Sequence, residues 1–192
     1  MTVTHQTQAH LPTRFGNFIV HVFKDDNDIE HMALVSGQLK DNCLVRIHSE
    51  CATGDILGSL RCDCREQLSA AMQKISEEGC GLIIYMRGHE GRGIGLTNKI
   101  KAYTLQDNGM DTAEANLHLG FPIDGRDYSA AMEILKYFGI KSLRLLTNNQ
   151  GKIDALESAG ITLAERVPIW TTQNPHNKRY LDTKKKLMGH LE

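Results

Sequence analysis

Three cysteines crowd into one stretch of the chain, Cys51, Cys62 and Cys64, with the spacing C-x10-C-x-C. A catalytic zinc takes three protein ligands and keeps its fourth position for water, so three thiolates in this arrangement suit metal-assisted hydrolysis. Cys62 and Cys64 precede a predicted helix, whose amino-terminal partial charge, with Arg61 and Arg65 alongside, favours the thiolate form. The same spacing also suits a structural zinc closed by His48, three residues before Cys51. Three thiolates around Zn2+ leave a formal charge of −1, so such a centre acidifies its water less than one with neutral ligands and needs help from a nearby cation or base. Cys43 and Cys80 stand singly beside apolar runs and read as small buried hydrophobes. With five cysteines, an odd number, and three of them clustered, no disulfide framework is expected.

The second candidate is Gly88-His-Glu-Gly-Arg-Gly-Ile-Gly95, which lies between a predicted strand and a predicted helix. Glycines there let backbone N–H groups approach a phosphate near a helix amino terminus, and Arg92 adds a guanidinium. The pattern is neither a P-loop nor a dinucleotide fingerprint, and a plain turn explains it equally. Tyr103 falls on a helix face with Leu96 and Ile100, which makes it a core aromatic on periodicity alone. Asp124-Gly-Arg126-Asp127 reads either as a solvated turn or as a charged pair at a site. Thr147-Asn-Asn149 directly follows a strand, the place where α/β sheets bind ligands, and Lys152 stands within reach at the start of the next helix.

The elements that must position these residues alternate. Asn17–Phe23, Met32–Ser36 and Cys43–Ser49 are predicted strands, and Glu66–Glu78 is a predicted helix closed by Gly79. Strand Leu82–Met86, the glycine loop and a helix from Leu96 to Asn108 follow. Then come helix Ala130–Phe138, strand Ser142–Leu146, helix Lys152–Ala159 and strand Thr162–Arg166. This order predicts an α/β fold with a mixed sheet in a single domain over residues 1–192, amino-terminal strands leading into alternating helices and strands. Beyond Pro168 the chain turns polar and reads as a peripheral tail over 169–192, with a possible helix at Tyr180–Leu191. No apolar run reaches membrane-spanning length and no secretory signal opens the chain, so a cytoplasmic protein without membrane partners is expected. A net charge of −1 argues against nucleic acid as a partner.

Taken together, Arg46-Ile-His-Ser-Glu-Cys51, Ser59-Leu-Arg-Cys62-Asp-Cys64, the glycine loop, Asn98-Lys-Ile-Lys-Ala-Tyr103 and Leu146-Thr-Asn-Asn149 resemble the GTP cyclohydrolase II family from about residue 46 to 168. The chain is also near the length of the stand-alone enzyme, without room for the dihydroxybutanone-phosphate synthase domain fused to some relatives. The resemblance implies hydrolysis of GTP to 2,5-diamino-6-(5-phosphoribosylamino)pyrimidin-4-one, formate and pyrophosphate, the first step of riboflavin biosynthesis. It makes Cys51, Cys62 and Cys64 ligands of one catalytic Zn2+. It moves His48 into a GTP-binding segment, Arg46, Ile47, His48, Ser49 and Glu50, and adds Gln67, Glu90, Gly91, Arg92, Thr112, Thr147 and Lys152 as nucleotide contacts. Asp124, Arg126 and Tyr103 become catalytic, with Asp124 the acid/base residue and Arg126 the nucleophile.

A guanidinium stays protonated at neutral pH and is then a poor electron donor, so Arg126 reads equally as a clamp on the α-phosphate. Mg2+ on the triphosphate and a homodimer are further implications of the family. Two rival readings stand beside this one: a zinc-stabilised binding module without turnover, and a related enzyme acting on another purine or pyrimidine ring.

Overall fold

In the computed structural model, residues 1–178 are described; the helix expected at Tyr180–Leu191 lies outside them. Strands β1 (Val3–Thr13), β2 (Gly16–Asp25), β3 (Glu30–Ser36) and β4 (Cys43–Ser49) come first. Helix α1 (Cys64–Glu78), strand β5 (Gly81–Met86) and helices α2 (Gly95–Asp107), α3 (Thr112–His118) and α4 (Ser129–Tyr137) follow, then β6 (Ser142–Leu146), α5 (Gln150–Ser158) and β7 (Thr162–Val167). The strands form one mixed sheet in the order β1-β2-β3-β5-β4-β6-β7. Pairing is antiparallel from β1 through β5 and parallel from β5 through β7. The α/β reading with a mixed sheet and amino-terminal strands therefore holds.

Residue pattern explains the halves. The parallel strands β4 and β5 are almost wholly buried, as strands covered on both faces must be. Alternate residues of β4 go to opposite faces. Leu44 joins Ile83, Leu146 and the α1 residues Ala71 and Ile75, whereas Val45 and Ile47 join Ile84 and Leu145 with Ile134, Leu135, Ile153 and Leu156 from α4 and α5. Helix α1 thus covers one face, and α4 with α5 the other. Gly79 ends α1 in a left-handed conformation at φ 67°, which a side chain would strain.

Three expectations need correction. No strand was foreseen at β1, because its residues are mostly exposed and show no alternation; the ladder to β2 holds it rather than burial. Leu96 and Ile100 are 48% and 47% exposed, so the core face of α2 is not theirs; Lys99 and Ala102 are the residues it buries. The segment after Pro168 is not wholly peripheral: Ile169 is buried against the α1 face, and its backbone exchanges two hydrogen bonds with the Asn148 side chain, 2.7 and 3.1 Å.

Candidate functional site

Strands β4 and β6 are neighbours, yet the helix that follows β4 packs on one face of the sheet and the helix that follows β6 on the other. Chains diverging in this way open a crevice at the carboxyl ends of the strands, where α/β proteins bind ligands. Here it is an open cleft enclosing about 1130 Å³, mouth included. Arg46, His48, Ser49 and Glu50 enter it from β4 and its end, Thr147, Asn148 and Asn149 from the end of β6, and Lys152 from α5.

The three cysteines meet at one wall of the cleft. Their sulfurs lie within 4.8 Å of one another, and Cys51 and Cys62 are 3.7 Å apart. A tetrahedral zinc with Zn–S bonds of about 2.3 Å requires neighbouring sulfurs about 3.8 Å apart, so the spacing fits that ion. A π-helical turn, Ala52–Ile56, carries the chain around the cluster and turns the Gly54 N–H toward Cys51 Sγ at 3.4 Å. A Cβ on Gly54 would sit 2.7 Å from Cys62 Sγ and 3.0 Å from Cys51 Sγ. The missing side chain at Gly54 lets the turn lie directly against both sulfurs.

Hydrogen bonds from the Cys62 and Cys64 thiols, with Lys99 adding to them, push the Cys51 thiol far down, while Cys62 is pushed up to about 11 and Cys64 well above the usual thiol range, each by its bond to a neighbouring cysteine and by burial. The cluster by itself thus favours one thiolate, and holding three calls for a cation among them. His48 does not close the set: its Nε2 faces the Asp55 carboxylate at 3.1 and 3.2 Å. Asp55 also accepts from Tyr85 Oη at 2.8 Å and from the Cys51 N–H at 3.1 Å, tying β4 and β5 to the cysteine turn.

Helix α2 brings Tyr103 against this wall, its hydroxyl 3.3 Å from Thr53 Oγ1 and its ring under the Arg61 guanidinium at 4.3 Å. Arg61 pairs with Asp107, and Arg65 donates to the carbonyls of Asp55 and Ile56, so the cation that touches a sulfur is neither arginine but Lys99. Lys99 Nζ lies 3.1 Å from Cys51 Sγ and 2.5 Å from Glu90 Oε1. Glu90 lines the cleft, but its carboxylate is engaged by Lys99, by the Ala52 N–H at 2.6 Å and by the Gly91 N–H at 3.1 Å.

The glycine loop does not present an open row of amides. The N–H groups of Arg92 and Gly93 bond to the carbonyls of His89 and Glu90 within the loop. Its glycines serve shape instead: at Gly93 a Cβ would come within 3.0 Å of the Gly125 carbonyl, so the loop and the Asp124-Gly-Arg126 segment could not approach. Arg92 adopts a left-handed φ of 68°, a conformation costing a non-glycine residue about 1–2 kcal/mol, and it lines the cleft.

Arg126 grips both carboxylate oxygens of Asp124, one through Nε at 2.9 Å, and donates to Ser49 Oγ at 3.3 Å. That guanidinium holds the Asp124 carboxyl below the usual range, although burial works the other way. Burial, with Arg126 nearby, pushes His89 down to about 4, leaving it neutral.

Of the sequence-selected residues, all but Ile47 face the cleft. The Ile47 side chain is in the core, and only its carbonyl serves the site, accepting from Lys152 Nζ at 2.6 Å. Arg46 is buried, donating to the Leu146 carbonyl at 2.9 Å and to Gln67 Oε1 at 2.6 Å, and burial pushes its guanidinium down to about 10. Gln67 passes the link on to Asp63 at 2.6 Å. Glu50 accepts from the Gly88 N–H at 2.9 Å. Thr112 opens α3, whose Asp111 and Glu114 form a reciprocal capping box.

Residues not selected include Lys99 and Gly54, whereas Asn148 belongs to the Thr147-Asn-Asn149 run that its place after a strand marks as a ligand site. Lys99 was findable, since i, i+4 spacing on a helix puts it on the face of Tyr103. Nothing local marks Gly54.

The model of the GTP cyclohydrolase II family matches residues 4–168, reaching back over β1 to β3. A GTP cyclohydrolase-2 of Neisseria meningitidis is 53% identical over 191 residues, 98% of this chain and 96% of that protein. One from Picrophilus torridus is 50% identical over 187 residues, 96% of this chain and 97% of that one. The riboflavin biosynthesis protein RibBA of Salinispora tropica is 54% identical, but the chain spans about half of it, 47%. Among solved structures, RibBX of A. baumannii, a two-domain 3,4-dihydroxy-2-butanone 4-phosphate synthase, shares the fold at a TM-score of 0.50 and 18% identity, over 90% of this chain and 41% of that one.

Proposed function

The chain belongs to the GTP cyclohydrolase II family, hydrolases of riboflavin biosynthesis, and from that premise we propose that the cleft opens the guanine ring of GTP and releases pyrophosphate from the same bound molecule. The observation that carries this reading is the convergence of a three-sulfur metal cradle, a tyrosine hydroxyl and the cations Arg92, Arg126 and Lys152 on one cleft.

Cys51, Cys62 and Cys64 would hold the zinc ion, which supplies Lewis acidity and an activated hydrolytic water. Tyr103, placed by Thr53 beside the sulfurs, donates to oxygen at C8 as charge develops there during ring opening. Arg92, Arg126 and Lys152 offset the triphosphate charge, with Mg2+ arriving on the phosphates rather than in a cage of protein ligands. Asp124 holds the Nε edge of the Arg126 guanidinium through both of its oxygens, which favours the clamp on the α-phosphate over the nucleophile. Arg46, kept in place by Gln67 and the Leu146 carbonyl, forms a fixed wall against which the nucleotide lies.

We take residues 1–192 as one catalytic domain. Among the described residues no helix is long and apolar enough to cross a membrane, and the free cysteines suit the cytoplasm. A homodimer belongs to the same proposal: Ile56, Leu57 and Leu60, exposed next to the cysteine turn, are apolar side chains that a second copy would cover.

The test is to incubate the purified chain with GTP, Mg2+ and Zn2+ and quantify formate and pyrophosphate together. Equal release of both is expected. Pyrophosphate without formate would overturn the role of the cysteine cluster, and neither product would leave a nucleotide-binding module.

A further inference from the structure

Lys99 lines the cleft, and its ammonium contacts a sulfur of the cysteine cluster. It is 8% exposed on the inner face of α2. Its ammonium donates to Cys51 Sγ at 3.1 Å and to Glu90 Oε1 at 2.5 Å. Glu90 is itself fixed by the Ala52 N–H, which belongs to the turn that starts at Cys51. A Cβ at Gly91 would lie 2.8 Å from Ile94 Cγ1 and 3.1 Å from Lys99 Cβ, so the glycine lets the loop pack closely on Ile94 and on α2 at position 99. Cysteine turn, glycine loop and α2 therefore converge on one ammonium.

Burying a charge costs several kcal/mol of solvation, and an apolar side chain of similar length would spare that cost. Glu90 alone does not account for the lysine, because the pair could be replaced together. What the lysine adds is a charged N–H donor on a sulfur. Three thiolates around a dication carry a net −1, and a cation at 3.1 Å is placed to offset it.

We infer that Lys99, held by Glu90, is a positioning residue for the metal centre: its ammonium donates to the Cys51 sulfur, fixes that sulfur's direction and offsets the excess charge of the thiolate set. This rests on the zinc reading above. Donation to sulfur draws electron density from the ligand and leaves the metal a stronger Lewis acid. Groups that orient a metal ligand in this way typically contribute roughly 10–100-fold to metal affinity or activity.

The test compares the full-length chain with Lys99→Met, Lys99→Arg and the double variant Lys99→Met/Glu90→Gln, which leaves no buried carboxylate unpaired. Zinc affinity is measured by competition with a chromophoric chelator. The sulfur-to-metal charge-transfer band is recorded on the Co2+-loaded proteins, and kcat and KM are measured for GTP. Lys99→Met is expected to lose roughly 10–100-fold in zinc affinity, to move the cobalt band to longer wavelength, because the sulfur lone pair loses its donor, and to lower kcat with little change in KM. Lys99→Arg should return the band toward its original position, and the double variant should show the shifted band even if Lys99→Met alone fails to fold.

An unshifted band with unchanged zinc affinity in Lys99→Met or in the double variant overturns the inference. Failure of the unaltered chain to bind zinc or cobalt overturns the zinc reading beneath it, a separately visible result.

Discussion

Gly54→Ala tests the cradle without touching a ligand. Gly54 lies in the π-helical turn, and its φ is outside the left-handed region, so alanine brings no backbone strain and the effect is steric alone. The added methyl would stand 2.7 Å from Cys62 Sγ, 3.0 Å from Cys51 Sγ and 3.1 Å from Cys64 Cβ. Carbon and sulfur in ordinary contact sit more than half an ångström further apart than the first of these, and metal sites tolerate only about ±0.2 Å in their ligand distances. The sulfurs must therefore leave their positions or the turn must move outward.

Overpacking of this kind costs about 1–3 kcal/mol, which a domain of this size survives, so the chain should stay folded. The expected result is a folded protein with zinc affinity reduced at least tenfold and formate release reduced in parallel, read by chelator competition, a formate assay and thermal unfolding on the same preparation. Full zinc content with full formate release in Gly54→Ala would show that the three sulfurs do not act as the tight cradle described here.

Cys62→Ser should lose zinc and formate release together, and retained zinc with full turnover would remove Cys62 from the ligand set. Tyr103→Phe keeps the ring under Arg61 but loses the hydroxyl, and ring opening should slow about 100-fold with GTP binding unchanged; equal turnover would return Tyr103 to a packing role. Arg126→Ala removes the clamp and should slow pyrophosphate release about 30–100-fold, the effect of one or two charge-assisted hydrogen bonds; unchanged release would place Arg126 away from the phosphates.

Stability should also fall in acid. His89 titrates at about 4 when folded, because burial and then Arg126 disfavour its charged form, against 6.5 as its ordinary value. Between those values the unfolded chain binds more protons, so stability rises with pH through the window, is complete above 6.5 and is lost toward 4. A shift of this size corresponds to about 3 kcal/mol, and His31 and His48 act in the same direction. His89→Gln should flatten the dependence of the thermal midpoint on pH between 4 and 6.5; an unchanged slope would assign it to other groups.

What could be read in the sequence follows the range over which each signal acts. The α1, β5 and β6 assignments depend on local periodicity and on glycines such as Gly79, and they agree with the structure within two residues at each end. Strand β1 carries no such signal, because it is held by a partner strand rather than by burial. Helix α3 did carry one, since Asp111 and Glu114 are a capping pair three residues apart, but seven residues are too few to show periodicity.

The site divides in the same manner. Cysteine spacing and motif order select the proposed metal ligands, whereas the groups packed around them arrive from far along the chain. Gly54 is constrained by sulfurs three and eight residues away, and Lys99 by a sulfur 48 residues away. Ile169 matters because the Asn148 side chain takes up its backbone. The distinction has a chemical basis. Ligand identity is a property of single residues, so spacing can show it. Ligand charge and direction are properties of a packed shell, and a shell assembled from the cysteine turn, the glycine loop and α2 leaves a trace in the sequence only where two of its members share a helix face, as Lys99 and Tyr103 do.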